Sequence, residues 1–110
     1  MHAAVAAATA LSILYSPHDG SGRTAWQLEC GPAGGTLPRA AQACTKLDAI
    51  RGKPFLPVPA NVACTDVYGG PETARVVGTF RGRTVWVTFR QTNGCEIARW
   101  NKLSFLFQPS

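Results

Sequence analysis

The sequence predicts an α+β domain: an antiparallel sheet of about five strands, one substantial helix and a second short one, stapled by two disulfides. Three observations carry this. Eleven glycines and eight prolines in 110 residues supply many turns, which suits sheet and loops better than a helix bundle. Several short stretches alternate apolar and polar residues, whereas one longer stretch has the helical period. Cysteines stand at 30, 44, 64 and 95, an even count without a Cys-x-x-Cys pair. That favours bridges formed in an oxidising compartment over a zinc ribbon or a redox motif. Arithmetic alone leaves three pairings open.

The chain suits one domain. Residues 1–9, rich in alanine, lack a basic leader and are too short for a membrane span. They are expected to be a disordered leader remnant or an artificial start, with the domain at 10–110. A first strand is expected around Ala10–Ser16, ended by Pro17 and the loop His18-Asp19-Gly20-Ser21-Gly22. In the second, Thr24–Cys30, Trp26, Leu28 and Cys30 share one face and Gln27 and Glu29 the other. Gly31–Gly35 is a turn.

The period then changes. Thr36 is expected to cap a helix with Pro38 in its first turn. Ala40, Ala43, Cys44, Leu47 and Ile50 form its apolar stripe, and Gly52 stops it. Cys44 and Cys30 then both point coreward. Their bridge closes a loop of about 15 residues, worth roughly 3 kcal/mol in the chain-entropy view, and leaves Cys64 with Cys95. Thr73–Phe80 and Arg83–Arg90 read as a hairpin turning at Arg81-Gly82. In its second arm Val85, Val87 and Phe89 face one way, and Thr84, Trp86, Thr88 and Arg90 the other. A turn at Gln91–Cys95, a short helix through Trp100 and a last strand at Leu103–Phe107 complete the expected order.

Charge excludes several functions. The chain carries +5 at neutral pH, but its basic residues are scattered, the densest run being Arg81-Gly82-Arg83. A nucleic-acid reader shows a basic stripe or a recognisable module, so neither a nucleic-acid nor a membrane partner is expected. The two histidines, His2 and His18, lie in the leader and a loop, and His18-Asp19 reads as polar loop rather than catalysis. No enzyme activity, metal or cofactor is expected.

One stretch stands apart. Cys64-Thr65-Asp66-Val67-Tyr68 favours extended backbone, begins at a covalent anchor and ends at the Gly69-Gly70-Pro71 turn signal. Pro57 and Pro59 bring the chain to it as an irregular surface segment. It has the form of a short, stiff, exposed peptide held out for another protein.

The residues resemble the Streptomyces subtilisin inhibitor-like proteins over nearly the whole chain after the start. The resemblance rests on Leu28-x-Cys30-x-Pro32, Gly35-Thr36-x-Pro38, Ala43-Cys44-x-x-Leu47 and Cys64-Thr65-x-x-Tyr68. Gly82-x-x-Val85, Asn93-x-Cys95-Glu96 and Phe105-x-Phe107 extend it. It implies a five-stranded antiparallel sheet with two helices on one side, and disulfides Cys30–Cys44 and Cys64–Cys95. It also implies a secreted homodimeric inhibitor of extracellular serine proteases. By the same resemblance Asp66 fills the primary specificity pocket and Asp66-Val67 is the scissile bond. Cys64, Thr65 and Tyr68 are then loop contacts, and Asn93, beside Cys95, braces the loop from behind. A homodimer would pack through the sheet face bearing Trp86.

The sequence departs from the family pattern at four places. Family members usually carry a long side chain where Asp66 stands. An unpaired carboxylate costs several kcal/mol in an apolar pocket, so inhibition of trypsin and chymotrypsin is expected to be weak. An acid-preferring (glutamyl-type) protease suits it better, with subtilisin intermediate. The extra residue in Tyr68-Gly69-Gly70-Pro71 is expected to soften the loop's exit. Leu37 replaces a frequent histidine, and Asn101 replaces a common glycine at an expected turn, where asparagine tolerates left-handed backbone. The competing expectation for Asp66 is a carboxylate hydrogen-bonded to nearby backbone. The competing function is a binding protein that uses another surface of the same scaffold for a metalloprotease or a transglutaminase.

Overall fold

The structure, a computed structural model, describes residues 8–17 and 22–109. Residues 1–7 and the loop of His18 and Asp19 lie outside the described residues, and with them the expectations placed there, whereas Thr9, assigned by the sequence to the leader, is the buried first residue of a strand. Five strands form one antiparallel sheet: β1 Thr9–Ser16, β2 Thr24–Cys30, β3 Gly34–Gly35, β4 Gly70–Phe80 and β5 Arg83–Gln91. Their spatial order is β3-β2-β1-β4-β5. Two helices, α1 Ala40–Ile50 and α2 Gly94–Phe107, and a single 3-10 turn at Lys53–Phe55 complete the fold.

Alternation decides which face is covered. On β1, Leu11 and Ile13 are buried between Leu28 of β2 and Val76 of β4. Ala74, Phe80, Val85 and Phe89 extend the same face. The helices lay Ala43 and Leu47 of α1, and Trp100, Leu103, Leu106 and Phe107 of α2, onto that core. The Trp100 and Phe107 rings meet edge-on at 4.6 Å, and Phe89 stacks on Phe107 at 5.8 Å. Such aromatic pairs add about 1 kcal/mol beyond area burial.

The turn at Arg81-Gly82 is the expected two-residue hairpin loop, with Phe80 opposite Arg83. Both turn residues have positive φ, 51° and 80°, as a turn matched to the strand twist requires. The first disulfide joins Cys30 to Cys44 and the second Cys64 to Cys95, with Cα separations of 5.7 and 5.3 Å.

Three elements differ from the sequence expectation. Thr36 does not cap α1. Its Oγ1 accepts from Gln27 N at 2.9 Å, its own N–H goes to Gln27 O, and the helix begins at Ala40 after a left-handed Arg39. The β-strand competes for Thr36 and wins. Leu103–Phe107 is not a strand but the last part of α2. A five-residue stretch with four apolar residues fits either period, and no glycine or proline separates it from the capped helix start, so the helix runs on. The fifth strand is instead the two-residue β3, paired to Leu28 and Glu29. Asn101 consequently lies inside α2, where no left-handed turn exists for it to make, while Leu37 is buried in the core.

Candidate functional site

The segment from Leu56 to Gly69 crosses from the 3-10 turn to β4 without regular structure over residues 63–69. Irregular backbone of this kind is mobile unless tied down, and here one junction ties it. The second disulfide binds Cys64 to Cys95. Gly94 N–H donates to Thr65 O at 3.0 Å, and Gly69 N–H donates to Gln91 O at 2.7 Å. All three anchors leave a five-residue stretch, Gln91 to Cys95, where β5 passes into α2. Upstream, Arg99 of α2 donates from Nε to Pro54 O at 3.2 Å and from Nη1 to Glu96 Oε1 at 2.9 Å. Its guanidinium lies 5.0 Å from the Phe89 ring centroid, so the approach to the loop rests on the core as well.

Between the anchors the side chains stand in solvent. Thr65 and Asp66 are exposed, and Val67 and Tyr68 expose 56% and 64% of their surface. Cys64, Asn93 and Cys95 are half-buried beneath them. The Asp66 carboxylate takes part in no ion pair or hydrogen bond among the described residues. A carboxylate folded back on its own backbone, the competing expectation, is therefore not the arrangement present.

Asn93 acts through the helix. Its Oδ1 accepts from Glu96 N at 2.9 Å, which satisfies one of the free N–H groups at the start of α2, and its carbonyl accepts the first intrahelical bond, from Ile97 N at 2.9 Å. The helix so capped presents Gly94 and Cys95 to the loop. Sequence reasoning missed Gly69, Gln91 and Gly94, whose roles rest on backbone atoms. It also expected Gly69-Gly70 to soften the exit. The Gly69 hydrogen bond and the pairing of Gly70 with Gln91 make that exit a fixed point, because β4 begins three residues earlier than the alternation suggested.

The arrangement is that of a short exposed peptide clamped at both ends to a rigid sheet and helix. Residues 6–93 match the model of the subtilisin inhibitor-like family, and the chain belongs to that family. No curated protein sequence matches it. Among solved structures, Streptomyces caespitosus sermetstatin, crystallised in complex with Bacillus licheniformis subtilisin, is similar with a TM-score of 0.55 and 23% identity. The alignment covers 90% of this chain and 94% of sermetstatin. At that identity the likeness speaks for the fold.

Proposed function

We propose that the protein is a secreted inhibitor of an extracellular serine protease, acting through Cys64–Tyr68 with Asp66-Val67 as the bond offered for cleavage. The observation that carries this reading is the contrast between side chains and backbone. Thr65 to Tyr68 are exposed, yet the segment is anchored on both sides of the 66–67 bond to one rigid junction.

The physics of inhibition follows from that contrast. A segment already held in place loses little conformational entropy on binding. It adds to the edge of the protease cleft as a strand, with backbone hydrogen bonds supplying affinity and pockets reading side chains. The Asp66 carbonyl then faces the enzyme's serine and oxyanion hole. If the bond is cut, Cys64–Cys95 keeps the new carboxyl end in place, and Gly69–Gln91 and β4 keep the new amino end. The two ends stay adjacent, so religation competes with release.

Asp66 sets the target class. Its exposed carboxylate, unpaired among the described residues, demands a pocket that supplies cationic or hydrogen-bonding groups, which points to an acid-preferring serine protease ahead of trypsin or chymotrypsin. A subtilisin-like enzyme, which spreads its contacts along the strand, is the intermediate case. Two disulfides and no free cysteine among the described residues fit the oxidising conditions of secretion.

The outer sheet face supports a homodimer. Trp86 exposes 72% of its surface and Val77, its partner across the β4–β5 pair, 37%. Arg75 lies over the Trp86 ring at 5.8 Å. An exposed tryptophan on the outer face of the edge strand β5 is the kind of anchor that interfaces bury.

Loop-mediated inhibition is tested by incubating the protein with subtilisin and, separately, a glutamyl endopeptidase, isolating any one-to-one complex and sequencing the bond slowly cut within it. A single cut after Asp66 is expected. A stable complex whose only cut lies outside Cys64–Tyr68, or rapid cleavage at many bonds, contradicts it.

A further inference from the structure

We propose that Gly94 is a positioning residue of the inhibitory loop: its missing Cβ lets the first residue of α2 close against Thr65 and so fixes where Asp66 stands. The inference rests on the loop reading above and goes beyond it by assigning the register to a residue outside the exposed loop.

Glycine is not needed at 94 for its backbone, since φ there lies outside the left-handed region and the residue opens a helix. In a helix alanine is favoured over glycine by up to about 1 kcal/mol. Space is the reason instead. A Cβ at 94 would overlap Thr65 Oγ1, and would stand 3.4 Å from Thr65 Cβ and 3.6 Å from Thr65 N. The same residue donates its N–H to Thr65 O at 3.0 Å. Its neighbour Cys95 is bonded to Cys64. Two consecutive residues of a capped helix thus grip two consecutive residues of the loop, immediately before Asp66. The disulfide alone leaves rotation about its own bonds. The Gly94 contact removes that freedom, because hydrogen bond and van der Waals surface constrain Thr65 together.

This predicts an unusual split between stability and function. Gly94→Ala improves helix propensity while pushing Thr65 outward, so the midpoint of thermal unfolding stays or rises as inhibition weakens. Thr65→Ala removes the overlapping Oγ1 and leaves its Cβ at ordinary contact distance, so the double variant regains the close approach. The experiment compares wild type, Gly94→Ala, Thr65→Ala and the double variant for inhibition of subtilisin and a glutamyl endopeptidase, thermal unfolding, and amide hydrogen exchange at residue 94.

Gly94→Ala is expected to weaken inhibition by about tenfold or more, given how steeply positioned chemistry depends on sub-ångström placement. Exchange at residue 94 is expected to speed up by a similar factor of about ten as the bond to Thr65 O opens more often. The double variant should return to within about threefold of Thr65→Ala on both measures, the signature of a direct coupling. Unchanged inhibition and exchange in Gly94→Ala, or no recovery in the double variant, overturns the proposal. If wild type inhibits neither enzyme, the loop reading fails on its own, and the exchange pattern across the four proteins still decides whether Gly94 holds Thr65.

Discussion

At position 66 a carboxylate stands in solvent with no ion pair or hydrogen bond among the described residues, and under the proposed function that one side chain selects the class of protease the scaffold suits. Its backbone, by contrast, depends on neighbours. Asn93 matters through geometry: its Oδ1 holds Glu96 N at 2.9 Å and so fixes the helix end that carries Gly94 and Cys95. Asn93→Ala is expected to cost about 1 kcal/mol of stability, as lost caps do, measured by denaturant unfolding, and to raise hydrogen exchange at Glu96 and Gly94. The Cys64–Cys95 bridge was legible in the sequence because it lies in side-chain chemistry. Gly69, Gln91 and Gly94 were not. What they contribute is, in turn, an N–H, a carbonyl and an empty volume, none of which a residue name discloses.

Elements were legible where the pattern was long or the turn chemistry unambiguous. The α1 stripe and the Arg81-Gly82 hairpin are present as expected, since an eleven-residue helix and a two-residue turn each admit one periodicity. Leu103–Phe107 reads as a strand because so short a stretch, four of its five residues apolar, satisfies both periods, and the arbiter was the cap at Asn93, ten residues upstream. The Gly34–Gly35 strand lacks side chains to show a pattern at all. Its pairing with β2 depends on Gly35, where a Cβ would overlap Gln27 O.

Two predictions belong to this scale. Trp86→Ser on the outer sheet face is expected to shift the mass in solution from dimer to monomer at micromolar concentration without altering thermal unfolding of the monomer. A wild type already monomeric under those conditions contradicts the dimer. Replacing both Cys64 and Cys95 by serine is expected to remove about 3–4 kcal/mol from unfolding stability in the chain-entropy view. It should also turn the loop into a substrate, with the Asp66 carboxyl end lost after cleavage, read by mass spectrometry of the digested protein.

Across the whole molecule, a five-stranded sheet supports its helices on one face and frees the other, and a single β5–α2 junction carries the loop. Membership of the subtilisin inhibitor-like family agrees with that architecture. The family match ends at Asn93, one residue before the helix whose first turn grips the loop, so the grip is visible in the structure and not in the match. The most direct test of the central claim is the inhibition of subtilisin, trypsin, chymotrypsin and a glutamyl endopeptidase by wild type and by Asp66→Lys. The account predicts that wild type is strongest against the acid-preferring enzyme and that the lysine variant turns to trypsin with a gain of about a hundredfold or more, the scale on which an unpaired buried charge is penalised. If the substitution leaves the order of the four enzymes unchanged, or neither protein inhibits any of them, Asp66 does not enter a protease pocket and the scaffold serves a partner through another surface.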